Sequence, residues 1–176
     1  MADSGTLTEA LAFDPQVTVV GETEFTITPE TRGSLKVGTE TVEIVCATGS
    51  SYTADWRGPT MTSLFEAASV PPETTHVVVE SADGYRVVVP VPEAIGGILS
   101  YLKDGEPIGE SQAYVNRFVA PGTEGARDIK GVARIEAVEL EPSEDPEALE
   151  NLFPEGERFT ANRDKKDEKR VAQTDV

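Results

Sequence analysis

Cysteine is nearly missing from this chain: Cys46 is the single one among 176 residues, which excludes an internal disulfide framework. Histidine is as scarce. His76 opens a valine-rich stretch with no second histidine near it, which favours a structural role over a metal site. No Ser/His/Asp signature, phosphate-binding P-loop or paired-cysteine metal motif is present. Cations are the third scarcity, with 15 Lys and Arg against 32 Asp and Glu and a formal net charge of -17. Such a field repels nucleic acid backbones and anionic lipid surfaces, so neither is an expected partner. No apolar run approaches the roughly 20 residues that span a bilayer. The first residues are not basic and lead into no apolar stretch, so no secretory signal is expected and a cytoplasmic location is. Acid excess with little lysine suits a salty cytosol, where screening weakens self-repulsion, and points to a halophilic, haloarchaeal source.

What is present reads as one α+β domain dominated by strands. Residues 1–16 are polar and expected to be loosely held, although Leu7, Leu11 and Phe13 can pin one helical turn. Short β-branched runs follow at 17–20, 25–27, 41–46 and 52–56, punctuated by Gly21, Gly33 and Gly38. Residues 63–68 suit a helix, with Ser63 and Glu66 at capping-box spacing and Pro71-Pro72 as the stop. The valine-rich runs 75–81 and 85–91 flank Ala82-Asp83-Gly84, a hairpin signal. Because those valines do not alternate with polar residues, both faces of the hairpin are expected to be buried. A second helix is expected over 92–103, from Ala94, Ile95, Ile98 and Leu102 at helical spacing, ending at Asp104-Gly105. Strands 113–119 and 129–140 close the domain, set at 17–140. Residues 141–176 turn to proline and mixed charge and are expected to be a partly disordered tail.

Two features carry chemistry. Cys46 ends an apolar strand and faces the small-residue loop Ala47-Thr48-Gly49-Ser50, where a soft thiolate has room to bind a transition metal. The same features describe a thiol that simply packs. The other is a cationic group, Arg117, Arg127 and Lys130, around the glycine loop of Gly122 and Gly125. Guanidinium forks and free amides suit a phosphate, while ordinary surface ion pairs are the alternative. Trp56 reads as core or pocket wall.

These pieces occur in an order that resembles the sulfite oxidase family, the molybdopterin-binding oxidoreductases. Val45-Cys46-Ala47, Trp56-Arg57-Gly58, the helix ending near Ala68-Ser69-Val70, Asp83-Gly84-Tyr85 and Asp104-Gly105-Glu106-Pro107-Ile108 are each similar to family segments. The most specific block is Arg117-Phe118-Val119-Ala120-Pro121-Gly122, then Gly125-Ala126-Arg127, then Lys130, which resembles the family's Arg-Val-Val-Val-Pro-Gly, Gly-Ala-Arg and Lys without a gap.

The resemblance implies a mostly β fold with a few short helices around a molybdopterin, with Cys46 as the thiolate on molybdenum. Arg127 and Lys130 match positions that contact the pterin or its phosphate, and Arg117 a basic residue near the site. It implies oxygen-atom transfer, or redox chemistry on a sulfoxide or other small oxyanion or sulfur/nitrogen oxide, with a separate redox partner. A domain that keeps the fold without the metal, as a binding or interaction module, is the alternative, and an acidic structural protein with Cys46 in its core is a third reading. The chain departs from the pattern in places. The family's upstream Arg-Asn-His has no counterpart, Thr48-Gly49-Ser50 replaces an arginine pair after the cysteine, and Asp128 puts a carboxylate where a neutral polar residue or histidine is usual.

Overall fold

The computed structural model describes residues 12–14, 16–45, 49–122 and 127–152. Strands dominate it. A five-stranded sheet runs in the order β2 (Glu24–Ile27), β1 (Val17–Val20), β11 (Val132–Val138), β5 (His76–Ser81), β6 (Arg86–Pro90). Only β1 and β11 pair in parallel; the other neighbours in this sheet are antiparallel. A second sheet orders β3 (Val37–Val45), β4 (Ser51–Pro59), β8 (Leu102–Lys103) and β9 (Glu106–Pro107). Between them lies a two-stranded ribbon of β7 (Ile98–Ser100) and β10 (Arg117–Val119).

The valine hairpin is as its sequence implies. Val77, Val79, Val87 and Val89 are fully buried in the main core, and Val78 and Val88 are buried on the other face. Each fully buried valine contributes about 1.5–3 kcal/mol relative to exposure, so this unit anchors the five-stranded sheet. Helix α1 (Met61–Ala67) drives Met61, Leu64 and Phe65 into the same core. It starts earlier than the capping-box spacing suggests. Thr60 is the N-cap, accepting from the Ser63 N–H at 3.1 Å, while the Ser63 hydroxyl accepts from the Lys36 N–H at 2.8 Å.

The helix expected over 92–103 does not form. A single turn, α2 (Val91–Ala94), gives way to β7 and β8. The reason is close packing of backbone. A Cβ on Gly97 would lie 2.6 Å from the Val119 carbonyl oxygen, and one on Gly58 would lie 1.9 Å from that of Leu99. Two glycines therefore let β7 wedge between β4 and β10, where a helix has no room. Asp104 and Gly105, with φ of 52° and 85°, make the tight turn between β8 and β9 rather than a helix end. Strand 113–119 shortens to β10, and a third short helix, α3 (Ile108–Ser111), precedes it.

The packed structure runs past both expected domain limits. Phe13 is buried with its ring 5.1 Å from that of Tyr101, whereas Leu7 and Leu11 lie outside the described residues. At the other end, Pro146–Leu149 forms a 3-10 turn, and Asn151 exchanges both backbone hydrogen bonds with Arg86 on the edge strand β6, each at 2.9 Å. Among the described residues, no helix is long and apolar enough to cross a membrane.

Candidate functional site

Alternation along β4 sends Tyr52, Ala54 and Trp56 to one face of the second sheet. There Ala54 and Trp56 are buried in a smaller core with Val42, Ile44, Ile98, Ile108, Tyr114 and Val119, and Tyr52 packs against it. Cations border this aromatic face. Arg117, only 4% exposed, donates from Nε to the Asp128 carbonyl at 2.8 Å and from Nη1 to the Tyr52 hydroxyl at 3.0 Å. Its guanidinium carbon sits 5.6 Å from the Trp56 ring centroid. Lys130 is bridged to Arg117 through the backbone, and its ammonium lies 5.7 Å from the Tyr114 ring. Lys103, paired across the strands with Trp56, holds its ammonium 4.5 Å from the Tyr52 ring and 5.6 Å from the Trp56 ring. Each such contact is worth about 0.5–2 kcal/mol, which helps to hold charge on a face with little water.

Of the four site residues that the sequence suggests, Arg117 and Lys130 come together. Arg127 turns elsewhere. Both its terminal nitrogens bond the Glu150 carboxylate, Nη2 to Oε1 at 3.1 Å, and Nη1 also donates to the Val88 carbonyl at 3.2 Å. Glu150 accepts in addition from the Val88 N–H at 2.8 Å. Cys46 lies outside the described residues; β3 ends one residue before it, at Val45, paired with Ser51 beside Tyr52. Among the described residues no group of three His, Cys, Asp or Glu side chains could hold a metal ion.

Asp128 is 1% exposed, with Oδ1 accepting from the Ala120 N–H at 3.3 Å and Oδ2 without a partner. Burial pushes its carboxyl up to about 7, against the opposing pull of the Arg117 guanidinium and the Ala120 N–H. Asn116, also fully buried, ties β10 to β11: Oδ1 accepts from the Val132 N–H at 2.7 Å and Nδ2 donates to the Val132 carbonyl at 3.1 Å. Lys103 and Asn116 escaped the sequence reading, whereas Tyr52, Tyr85 and Tyr114 could each be placed within reach of a pocket from sequence but not ranked. The alternation that puts residue 52 beside residue 56 was the available signal for Tyr52; nothing local signals Lys103 or Asn116.

Residues 12–145 match the family described as the oxidoreductase molybdopterin binding domain. The chain belongs to this family. It is 31% identical over 104 residues to the mitochondrial sulfite oxidase of Drosophila melanogaster, a match that covers 53% of this chain and 18% of that protein. The sulfane dehydrogenase SoxCD from Paracoccus pantotrophus shares the fold, with a TM-score of 0.64 at 21% identity over 71% of this chain and 38% of the other. The chain thus spans well under half the length of these relatives.

The side chains suit the family's cofactor in kind. A pterin offers a flat polar ring system and an anionic phosphate. This face offers aromatic rings, three cations and the buried Trp56 Nε1, which has no partner. Arg117 keeps Nη2 without an acceptor among the described residues. Gly122, at φ 82°, opens the loop after β10 to close approach by an anion.

Proposed function

We propose that this molybdopterin-binding domain is a redox domain in which Cys46 supplies the thiolate to molybdenum, and Arg117 and Lys130 hold the cofactor's polar and anionic periphery; Arg127 would join them only on leaving Glu150. When bound, the group supplies oxygen-atom transfer or the reduction of a small oxyanion, sulfoxide or similar oxide. The chain's own part is binding, orientation and exclusion of water. Arg117 is fixed from two directions, by the Asp128 carbonyl and the Tyr52 hydroxyl, so its remaining donors point without reorganisation cost. Lys130 adds a second charge one backbone bridge away. The observation that carries the reading is this pairing of Arg117 and Lys130 on an aromatic face within a chain of net charge -17.

One observation favours a second reading, a binding or interaction module that keeps the fold without metal: Glu150 already neutralises Arg127. Protein purified from its native host separates the two. The redox reading expects molybdenum in the purified chain, and its loss or an altered spectrum, with normal folding, in Cys46→Ser. A metal-free native protein, or a serine variant that keeps metal and turnover while its melting temperature falls, would leave Cys46 a packing residue and favour the module.

A further inference from the structure

The segment after Leu140 lies on the domain without a core to commit it. Its 3-10 turn, Pro146–Leu149, buries no side chain, and Leu149 and Leu152 stand exposed. Its hold on the edge strand β6 is polar. Arg86 Nε donates to the Leu149 carbonyl at 2.7 Å, Asn151 exchanges backbone bonds with Arg86, and Asn151 Nδ2 donates to the Gly84 carbonyl at 3.0 Å. One contact is of another kind. The side chain of Glu150 is buried, accepts from both terminal nitrogens of Arg127 in a fork, and accepts from the Val88 N–H as well. A guanidinium fork beside a backbone amide is a donor set that suits a phosphate, and here an internal carboxylate fills it.

We infer that Glu150 is a displaceable clasp, which holds Arg127 and the Val88 N–H until Arg127 is needed for the cofactor's anionic end, and so gates cofactor uptake. The inference rests on the cofactor reading and adds a regulation that this chain's own carboxylate supplies. Phosphate carries more charge than a carboxylate and offers three acceptor oxygens, so it competes well for a guanidinium. Arg86 grips the segment on both sides of Glu150, at Leu149 and at Asn151, so the Glu150 side chain can swing out to solvent while the segment stays on the edge. In a chain of net charge -17, a Glu150 that stayed would also set a carboxylate against the arriving anion. While the clasp is closed, the apparent affinity for the cofactor is reduced by the fraction of chains that are open.

The Val88 N–H reports on the clasp directly, because it lies on an edge strand with Glu150 as its acceptor. Its hydrogen exchange is measured in the full chain, once cofactor-free from an expression host and once carrying molybdenum from the native host, with the fully buried Val79 and Ile135 as references. Val88 protection about tenfold or more lower in the loaded protein, with the references unchanged, is the expected result. Equal Val88 protection in both forms overturns the clasp and leaves the cofactor reading standing. Glu150→Gln keeps an acceptor for the Val88 N–H but gives up the charged fork, and should take up molybdopterin about tenfold more tightly in reconstitution. Glu147→Gln makes the same charge change on an exposed side chain of the same turn and should match the wild type. Equal gains in the two variants, or none in either, overturn the clasp by leaving Glu150 one charge among many. A native protein without molybdenum defeats the cofactor reading instead, and inorganic phosphate at constant ionic strength then decides the clasp. Saturable loss of Val88 protection upholds Glu150 as a clasp that anions release, and unchanged protection overturns it as well.

Discussion

Asn116→Ala removes a side chain that stands in for a strand. In the native chain its carboxamide accepts from the Val132 N–H and donates to the Val132 carbonyl, with no solvent access to replace either bond. An unsatisfied buried polar group costs about 1–3 kcal/mol, so two of them cost about 2–6 kcal/mol. Relaxation or an entering water would move the result to the lower end. For a chain of this size each kcal/mol shifts Tm by about 2–4 °C, which makes the expected drop about 4–24 °C. That is a large share of the roughly 5–15 kcal/mol that stabilises a whole domain. Thermal melts by circular dichroism, with urea melts to check that the m-value is unchanged, read the loss. Asn116→Asp supplies a signed control. Its carboxylate can still accept from the Val132 N–H but repels the Val132 carbonyl at neutral pH, and protonation should restore the donor and part of the stability. A Tm loss below about 2 °C for the alanine variant would show that β10 and β11 are held together by other means, and would refute the claim that the Asn116 carboxamide ties them.

Three further outcomes follow from the same structure. Because burial raises Asp128 from 3.8 to about 7, the folded chain keeps a proton between those values that the unfolded chain has lost. Its stabilisation is full below pH 3.8 and is lost as pH rises to about 7, so urea midpoints of wild type should fall relative to Asp128→Asn across that window, and parallel curves would refute it. The Arg127 and Glu150 side chains are 26% and 5% exposed, so a double-alanine cycle should give a coupling of about 1–3 kcal/mol; additivity within about 0.5 kcal/mol would mean that the pair is decorative. Finally, with a net charge of -17, Tm should rise as potassium chloride reaches molar levels, and melts that coincide or fall with salt would remove the argument for a halophilic source.

How much of this was legible depends on whether the signal was local. The valine hairpin announced itself because Val77–Val79 and Val87–Val89 are packed on both faces and so do not alternate. Arg117 and Lys130 were legible as a pair because the block that carries them is short and gap-free. The 92–103 segment misled because Ala94, Ile95, Ile98 and Leu102 match helical spacing, while the deciding facts are backbone approaches at Gly97 and Gly58 to strands far away in sequence. Arg127 illustrates a limit of charge reading: an isolated cation predicts an anion but not which one, and here the chain provides its own in Glu150. Lys103 was hidden because its neighbour Trp56 is remote in sequence and becomes adjacent only through β4–β8 pairing.

The segment that carries Glu150 and Asn151 lies past Leu140, where composition suggested that the domain had ended. It covers the outer edge of the five-stranded sheet, where β6 would otherwise present open N–H and C=O groups beside a valine-rich surface. Exposed edges of that kind recruit strands from other copies and seed aggregates. The short acidic segment is therefore a guard on solubility at high protein concentration. Shortening the chain to Leu140 would leave Arg127 without its carboxylate and the Val88 N–H without its cap, and the expected result is a protein that folds its core yet sticks to itself.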